Sequence, residues 1–254
     1  MPDSDVDLAT AAEMLGVHYQ TAYRWVRSGA LPAMLVRGRY RVGSEEVEAM
    51  ARRRDRPVRP RALRPRGGYG GRRNQMFEHL LAGDDADARK MIAQLLDEGV
   101  GLTEATQEVL VPALWRIGEE WHEGRIGIWT EHRASATVER ILGEHHPAPR
   151  GRRRGTAVVA ALAGDRHSLP TLMAAIALRE DNWRVQHLGA DVPADELVDF
   201  CEREGADLAA ITVTGSGGGR ARRVAGALRE RGIRAIVGEP GASLERLQRE
   251  ARGS

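Results

Sequence analysis

The stretch TAVVAALAGDRHSLPTLMAAIALRE, residues 156–180, decides the architecture of the C-terminal part of the chain. Thr156–Leu162 is a continuous apolar run, as expected of a strand covered on both faces. Leu169, Leu172, Met173, Ile176 and Ala177 then recur at helical spacing. Between the two lies Asp165-Arg166-His167. Downstream the alternation continues as strand Arg184–Leu188, helix Ala194–Glu204, strand Leu208–Val213, helix Arg220–Arg231, strand Ala235–Val237 and helix Leu244–Ala251. Strict strand–helix alternation predicts a doubly wound parallel sheet over 150–254. Only four strands are visible, and the chain ends where a fifth is expected. In such a sheet ligands sit beyond the carboxyl ends of the strands, which is where Asp165 and His167 fall. A histidine on a strand-exit loop can offer one ring nitrogen to a metal while the nearby carboxylate holds the other. Taken alone, this one reads more simply as an exposed loop residue.

Upstream, residues 74–149 carry only helical periods. Met76, Phe77, Leu80 and Leu81 form one stripe; Met91, Ile92, Leu95 and Leu96 form another. Leu102 to Trp121 is a third, with Pro112 as a kink or restart, and Ile128 to Leu142 is a fourth. Four such helices predict an antiparallel bundle. A helical hairpin would bring Trp121-His122 at the end of the third helix close to Glu131-His132 at the start of the fourth. That juxtaposition would offer an aromatic lid, two imidazoles and a carboxylate. Singly, Trp121 reads as core and His132 as surface.

Residues 52–73 (RRRDRPVRPRALRPRGGYGGRR) hold ten arginines, three prolines and four glycines without a hydrophobic period. They read as an extended linker, flexible at its glycine end. The linker either adds phosphate contacts or merely tethers and solubilises. Residues 1–51 look compact. A short helix spans Thr10–Leu15, Gly16 breaks it, and a second helix spans His18–Ser28 with Gly29 at its end. Met34–Val36 and Tyr40–Val42 flank Arg37-Gly38-Arg39 as a small hairpin. Ser44 can cap a third helix, Glu45–Ala51. Helix, glycine turn, helix and two-stranded wing is the arrangement that seats a second helix in the major groove. The exposed face of that helix offers Tyr19, Gln20, Tyr23, Arg24 and Arg27, and the wing offers Arg37, Arg39 and Arg41. Gln pairs with adenine and Arg with guanine, while the wing arginines suit phosphates or a minor groove.

Charge and composition agree with a two-sided molecule. The 254 residues include a single cysteine, Cys201, which excludes an internal disulfide framework and a cysteine zinc site. The net charge of +2 hides +7 on residues 1–73 and about −5 on the rest. That split suits a nucleic-acid-facing head on an acidic body. No apolar run approaches a membrane span and no signal segment opens the chain, so a cytoplasmic protein with no membrane partner is expected. Gly215-Ser216-Gly217-Gly218-Gly219 lacks the Lys-Ser/Thr of a phosphate loop and reads as a mobile loop. His145-His146 reads as a helix end.

LATAAEMLGVHYQTAYRWVRSGALPAMLVRGRYRV resembles the excisionase-like, MerR-related winged helix family over about 45 residues. Residues 74–254 resemble the B12-binding module, a helical cap before a flavodoxin-like domain. The whole chain resembles the MerR-type, cobalamin-dependent, light-sensing repressors of the CarH/LitR type. Trp121, Glu131 and His132 match that family's cap motif of Trp, nine residues, Glu-His. Asp165 and His167 match its Asp-x-His-x-x-Gly, which implies His167 as the lower cobalt ligand. The resemblance also implies that Trp121 packs on an adenosyl group, with Glu131 and His132 lining its pocket. It implies His122 as the ligand that captures cobalt after photolysis. It further implies adenosylcobalamin as cofactor, double-stranded operator DNA as partner, self-association as dimer or tetramer, and no enzymatic role.

The departures fall on the nucleotide-tail side. Pro170 replaces the glycine, which places a ring where the tail would run, although proline suits helix position N1. Thr212-Val213-Thr214 replaces Ser-x-Leu, with Thr212 keeping a hydroxyl for the buried base and Thr214 losing the leucine. Gly238-Glu239 replaces Gly-Gly. These changes leave haem or another tail-free tetrapyrrole open as the alternative ligand. A corrinoid carrier or a ligand-free regulator are weaker rivals.

Overall fold

The computed structural model describes residues 5–15, 17, 22–23, 25–26, 31–36, 39–55, 68–145, 147 and 151–253. It divides into two compact units, taken here in turn.

In the N-terminal unit, β1 (Val6–Asp7), β2 (Met34–Val36) and β3 (Arg39–Val42) form an antiparallel sheet in the order β1-β3-β2. Helix α1 (Leu8–Met14) starts two residues earlier than its periodicity suggested, because the Asp7 carboxylate accepts from Thr10 N at 2.8 Å. Helix α2 (Ser44–Asp55) begins at Ser44 itself, and the Gly43 carbonyl takes the first bond, from Val47 N at 3.1 Å. It also runs four residues into the segment read as linker. Arginines are good helix formers, so the absence of an apolar period did not stop it. Leu8, Ala11, Ala12, Leu15, Ala22, Leu31, Val42 and Val47 form its core.

The larger unit opens with α3 (Gly70–Ala82), so the glycine end of the expected linker is helical from Gly70 onward. Gly83, at φ +79°, ends α3 in the left-handed conformation that glycine reaches without strain. Helix α4 (Asp85–Asp97) follows, capped by Asp84. The third amphipathic stretch is not one helix. It is α5 (Leu102–Ala105), a π-helical turn (Thr106–Leu110) and α6 (Val111–His122), with Pro112 in the first turn of α6. Helix α7 (Ile128–Glu144) completes the cap. Met76, Leu80, Ile92, Leu95, Leu110, Ile117, Ile141 and Leu142 are fully buried in its core.

Four parallel strands, β4 (Thr156–Leu162), β5 (Arg184–Val192), β6 (Leu208–Thr212) and β7 (Arg234–Gly238), lie in the order β5-β4-β6-β7. Helices α8 (Ser168–Glu180), α9 (Ala194–Arg203), α10 (Gly218–Glu230) and α11 (Leu244–Arg252) alternate with them. The central strand β4 is buried from Ala157 onward, which explains its unbroken apolar sequence. Cys201 is buried against this sheet, and burial pushes its thiol up to about 11.

The cap is welded onto α8. Met173 and Ile176 of α8 belong to the cap core. The Glu180 carboxylate accepts from Leu102 N at 2.9 Å and Thr103 N at 2.8 Å, satisfying the donors that open α5. Gln107 Oε1 accepts from Leu244 N at 2.9 Å, which ties the π turn to α11. At the far end, Ser168 donates to Glu139 of α7. No helix among the described residues is long and apolar enough to cross a membrane.

Candidate functional site

The loop after β4 is built by its neighbours. Ala163 N donates to Val192 O at 2.7 Å, and Asp191 N donates to Asp165 O at 3.0 Å. Asp191 itself sits at φ 59°, a conformation that aspartate tolerates better than most residues, and its carboxylate accepts from Gly164 N at 2.7 Å. Arg220 adds a bond to Ala163 O at 2.8 Å. Neither Asp191 nor Arg220 stood out in the sequence, since the role of each depends on a backbone turn that residue type does not encode.

On this frame Asp165 collects four donors. His167 Nδ1–H donates to Oδ1 at 2.8 Å and the Thr214 hydroxyl donates to it at 2.7 Å. Thr214 N donates to Oδ2 at 2.8 Å, and His167 N reaches Oδ1 at 3.2 Å. Burial works to raise the Asp165 carboxyl, but the bonds from Thr214 and His167 outweigh it and hold it below its ordinary value. The carboxylate therefore stays ionised and fixes the imidazole with Nδ1 protonated. Nε2 points away from these bonds and has no protein partner among the described residues, on a side chain that is 69% exposed. That is the orientation required of a metal-binding imidazole.

Beside this cluster opens a cavity of about 780 Å³ between the sheet ends and the cap. Thr212, Thr214, Gly238 and Pro170 line it from the sheet side. The Thr212 hydroxyl is buried and has no hydrogen-bond partner, which is costly unless a ligand supplies one. A Cβ on Gly238 would meet only the Ile211 carbonyl oxygen and Thr212 Cα, at 3.9 and 4.0 Å, so the missing side chain leaves room for an occupant. Pro170 is the third residue of α8 rather than the first. Its absent N–H is still among those that find no partner in a helix, and the residue lines the cavity. Glu239 turns to Arg222, at 2.6 Å.

A second cavity, of about 410 Å³, is lined by Trp121, His122 and Glu131 together with Trp115, Gly118, Glu119 and Glu123. The expected meeting of the two helix ends thus holds for three residues of four. His132 does not line it; its Nδ1 lies 2.6 Å from a Glu131 carboxylate oxygen while Ser135 donates to the other at 2.8 Å. Trp121 is half-exposed rather than core, and Trp115 at 62% exposure was missed, because an aromatic residue at helical spacing reads as packing.

In the N-terminal unit, Tyr23 is half-exposed and packs edge-on against Tyr40 of the wing, centroids 5.9 Å apart. Arg41 reaches the Asp5 carbonyl at 3.4 Å. Tyr19, Gln20, Arg24, Arg27 and Arg37, and the side chain of Arg39, lie outside the described residues.

Comparison with known proteins extends this geometry. The helix-turn-helix domain family matches residues 6–55, and B12 binding domain families match residues 72–144 and 155–253. The HTH-type transcriptional repressor CarH of Myxococcus xanthus is 36% identical over 124 residues, covering 47% of this chain and 41% of that protein. The repressor CarA of the same organism is 29% identical over 227 residues, 81% of this chain and 75% of that one. The chain thus carries matches to a helix-turn-helix domain and to B12 binding domains, and it is similar to the CarH and CarA repressors. A helix-turn-helix match before two B12 binding domain matches agrees with the order of the elements along the chain. The monomethylamine corrinoid protein of Methanosarcina barkeri shares the fold of the larger unit. Its TM-score is 0.57 at 14% identity, over 72% of this chain and 98% of that one.

Proposed function

We propose that the chain is a DNA-binding transcriptional regulator, not an enzyme, that holds adenosylcobalamin between cap and sheet and responds to light. One observation carries the reading: Asp165 and Thr214 present the free Nε2 of His167 next to a chamber that contains the unpartnered Thr212 hydroxyl. His167 would hold the cobalt from the sheet side. Thr212 would meet the base of the nucleotide tail, with Gly238 leaving space for it. Trp121, with Glu131 fixed by Ser135 and His132, would line the place of the adenosyl group, and His122 stands in the same cavity as a second imidazole for the metal. The cofactor, when bound, supplies a cobalt–carbon bond that visible light breaks.

The residues that sense the change lie on α6 and α7. A different filling of their shared cavity bears directly on how those two helices pack, which is how a local event biases a two-state element. The α5 end of the cap is anchored by Glu180 and Gln107, so movement is expected at the α6–α7 end. In the dark form the chains self-associate as dimer or tetramer, and several heads on one operator bind far more tightly than one. Tyr19, Gln20, Tyr23, Arg24 and Arg27 would face the major groove, with Arg37, Arg39 and Arg41 on the flanks.

Haem has no nucleotide tail and would leave both the larger cavity and the Thr212 hydroxyl unmet, so a corrinoid is the better ligand. The test is to load the chain with adenosylcobalamin in darkness, then measure its size and its affinity for operator DNA before and after green light. A smaller particle and weaker binding after illumination are expected. Unchanged size and affinity would reject the light switch.

A further inference from the structure

Trp115 takes no part in the reading above, yet it stands at the most informative place in the site. Its indole is 62% exposed although it lines a largely apolar chamber beside Leu114 and Leu169. A tryptophan carries a large apolar surface whose exposure is unfavourable, and on a cavity wall that surface is available to a ligand. Residues 115, 119 and 122 fall at helical spacing on one face of α6. Trp115 and Glu119 line both cavities, the larger one with Thr212 and the smaller one with Trp121 and His122. A ligand with one part in each cavity would therefore find Trp115 and Glu119 on the walls of both. Arg116 lines the larger cavity with its guanidinium 3.7 Å over the Phe77 ring and no ion-paired carboxylate among the described residues. It is a cation on the cavity wall, its charge shared in part with Glu120 of the same helix.

Resting on the corrinoid reading, we propose that Trp115 is a specificity-determining residue that selects corrinoids bearing a nucleotide tail over those without one. The indole packs on the ligand where the tail leaves the ring for the larger cavity, and Arg116 faces the tail's phosphodiester. A tail-free corrinoid fills the ring site alone and gains little from either residue.

The experiment compares adenosylcobalamin with adenosylcobinamide, which lacks the tail, by equilibrium binding in darkness to the wild-type chain, Trp115→Ala and Trp115→Phe. Wild-type protein should prefer the cobalamin. Trp115→Ala should weaken cobalamin binding by about tenfold and cobinamide binding by less than about twofold, with Trp115→Phe close to wild type. Because the side chain is exposed, the unliganded variants should melt with the wild-type chain, and Trp115→Gln, which keeps bulk but loses the aromatic face, should show the same selective loss and carries the test if Trp115→Ala does not fold. Equal losses for both ligands, or no loss for either, would overturn the proposal. Failure of wild-type protein to bind either ligand would instead overturn the corrinoid reading on which it rests.

Discussion

At the strand ends Asp165 gathers four hydrogen bonds from His167 and Thr214, whereas on the cap Trp115, Trp121 and Trp129 leave 62%, 43% and 67% of their surface in water. One wall is satisfied by its own residues and holds its imidazole ready. The other presents apolar surface that the described residues leave largely uncovered, with only Arg133 over the Trp129 ring. The difference has a physical meaning. Polar groups that must hold a metal are costly to rearrange and are therefore fixed in advance. Apolar surface is non-directional and can adapt to whatever ligand state it meets. The ties repeat the pattern: Glu180, Gln107 and Gln248, the last through Thr103, fasten the cap near α5 and the π turn, while the α7 end has the Ser168–Glu139 bond.

The contrast would break most severely if the exposed wall meant a loose cap. Ile117 is buried on the inner side of the same helix that carries Trp115, so Ile117→Ala should cost about 2–5 kcal/mol in urea unfolding. A cost near zero would mean that the cap is not packed as described. On the opposite wall, Asp165→Ala removes the acceptor that orients His167. Cobalamin affinity should fall by about ten- to a hundredfold. An unchanged dissociation constant would show that the imidazole needs no orienting partner. Glu180→Ala removes the double cap of α5 and should cost about 1–2 kcal/mol, read as earlier cap unfolding in hydrogen exchange at 102–110.

The pH dependence sharpens the same comparison. The folded Asp165 carboxyl titrates below its ordinary value of 3.8. Its stabilising contribution is complete above that value and is lost as pH falls through the lower folded one. Acid unfolding of the wild-type chain should therefore be steeper below pH 3.8 than that of Asp165→Asn, and parallel curves would sink this point. The smallest effect is expected at Trp129, which lines neither cavity. Trp129→Ala should change stability by no more than about 0.5 kcal/mol and leave cobalamin affinity alone.

The unbroken apolar run at Thr156–Leu162 and the strand–helix alternation made the parallel sheet legible, and a carboxylate two residues before a histidine marked the strand-exit loop in which Asp165 and His167 meet. The cap was harder. Nothing in the spacing separates a tryptophan that packs from one that lines a cavity, and Trp115 became visible only through its exposure. β1 is two residues long, too short to show alternation. Asp191 matters through a left-handed backbone angle, and Thr214 through a contact made across two loops. Residue type reveals neither.

The wide turn at Thr106–Leu110 carries a last consequence. Each residue of a helix advances it by about 100°, so removing one there would swing everything after it by that angle relative to everything before. The grip of Glu180 on α5 and the place of positions 115, 119 and 122 on the cavity walls could not then both survive. Spacing along this segment is thus as strict a requirement as the identity of any side chain, and a one-residue deletion should be tolerated worse than any substitution within it.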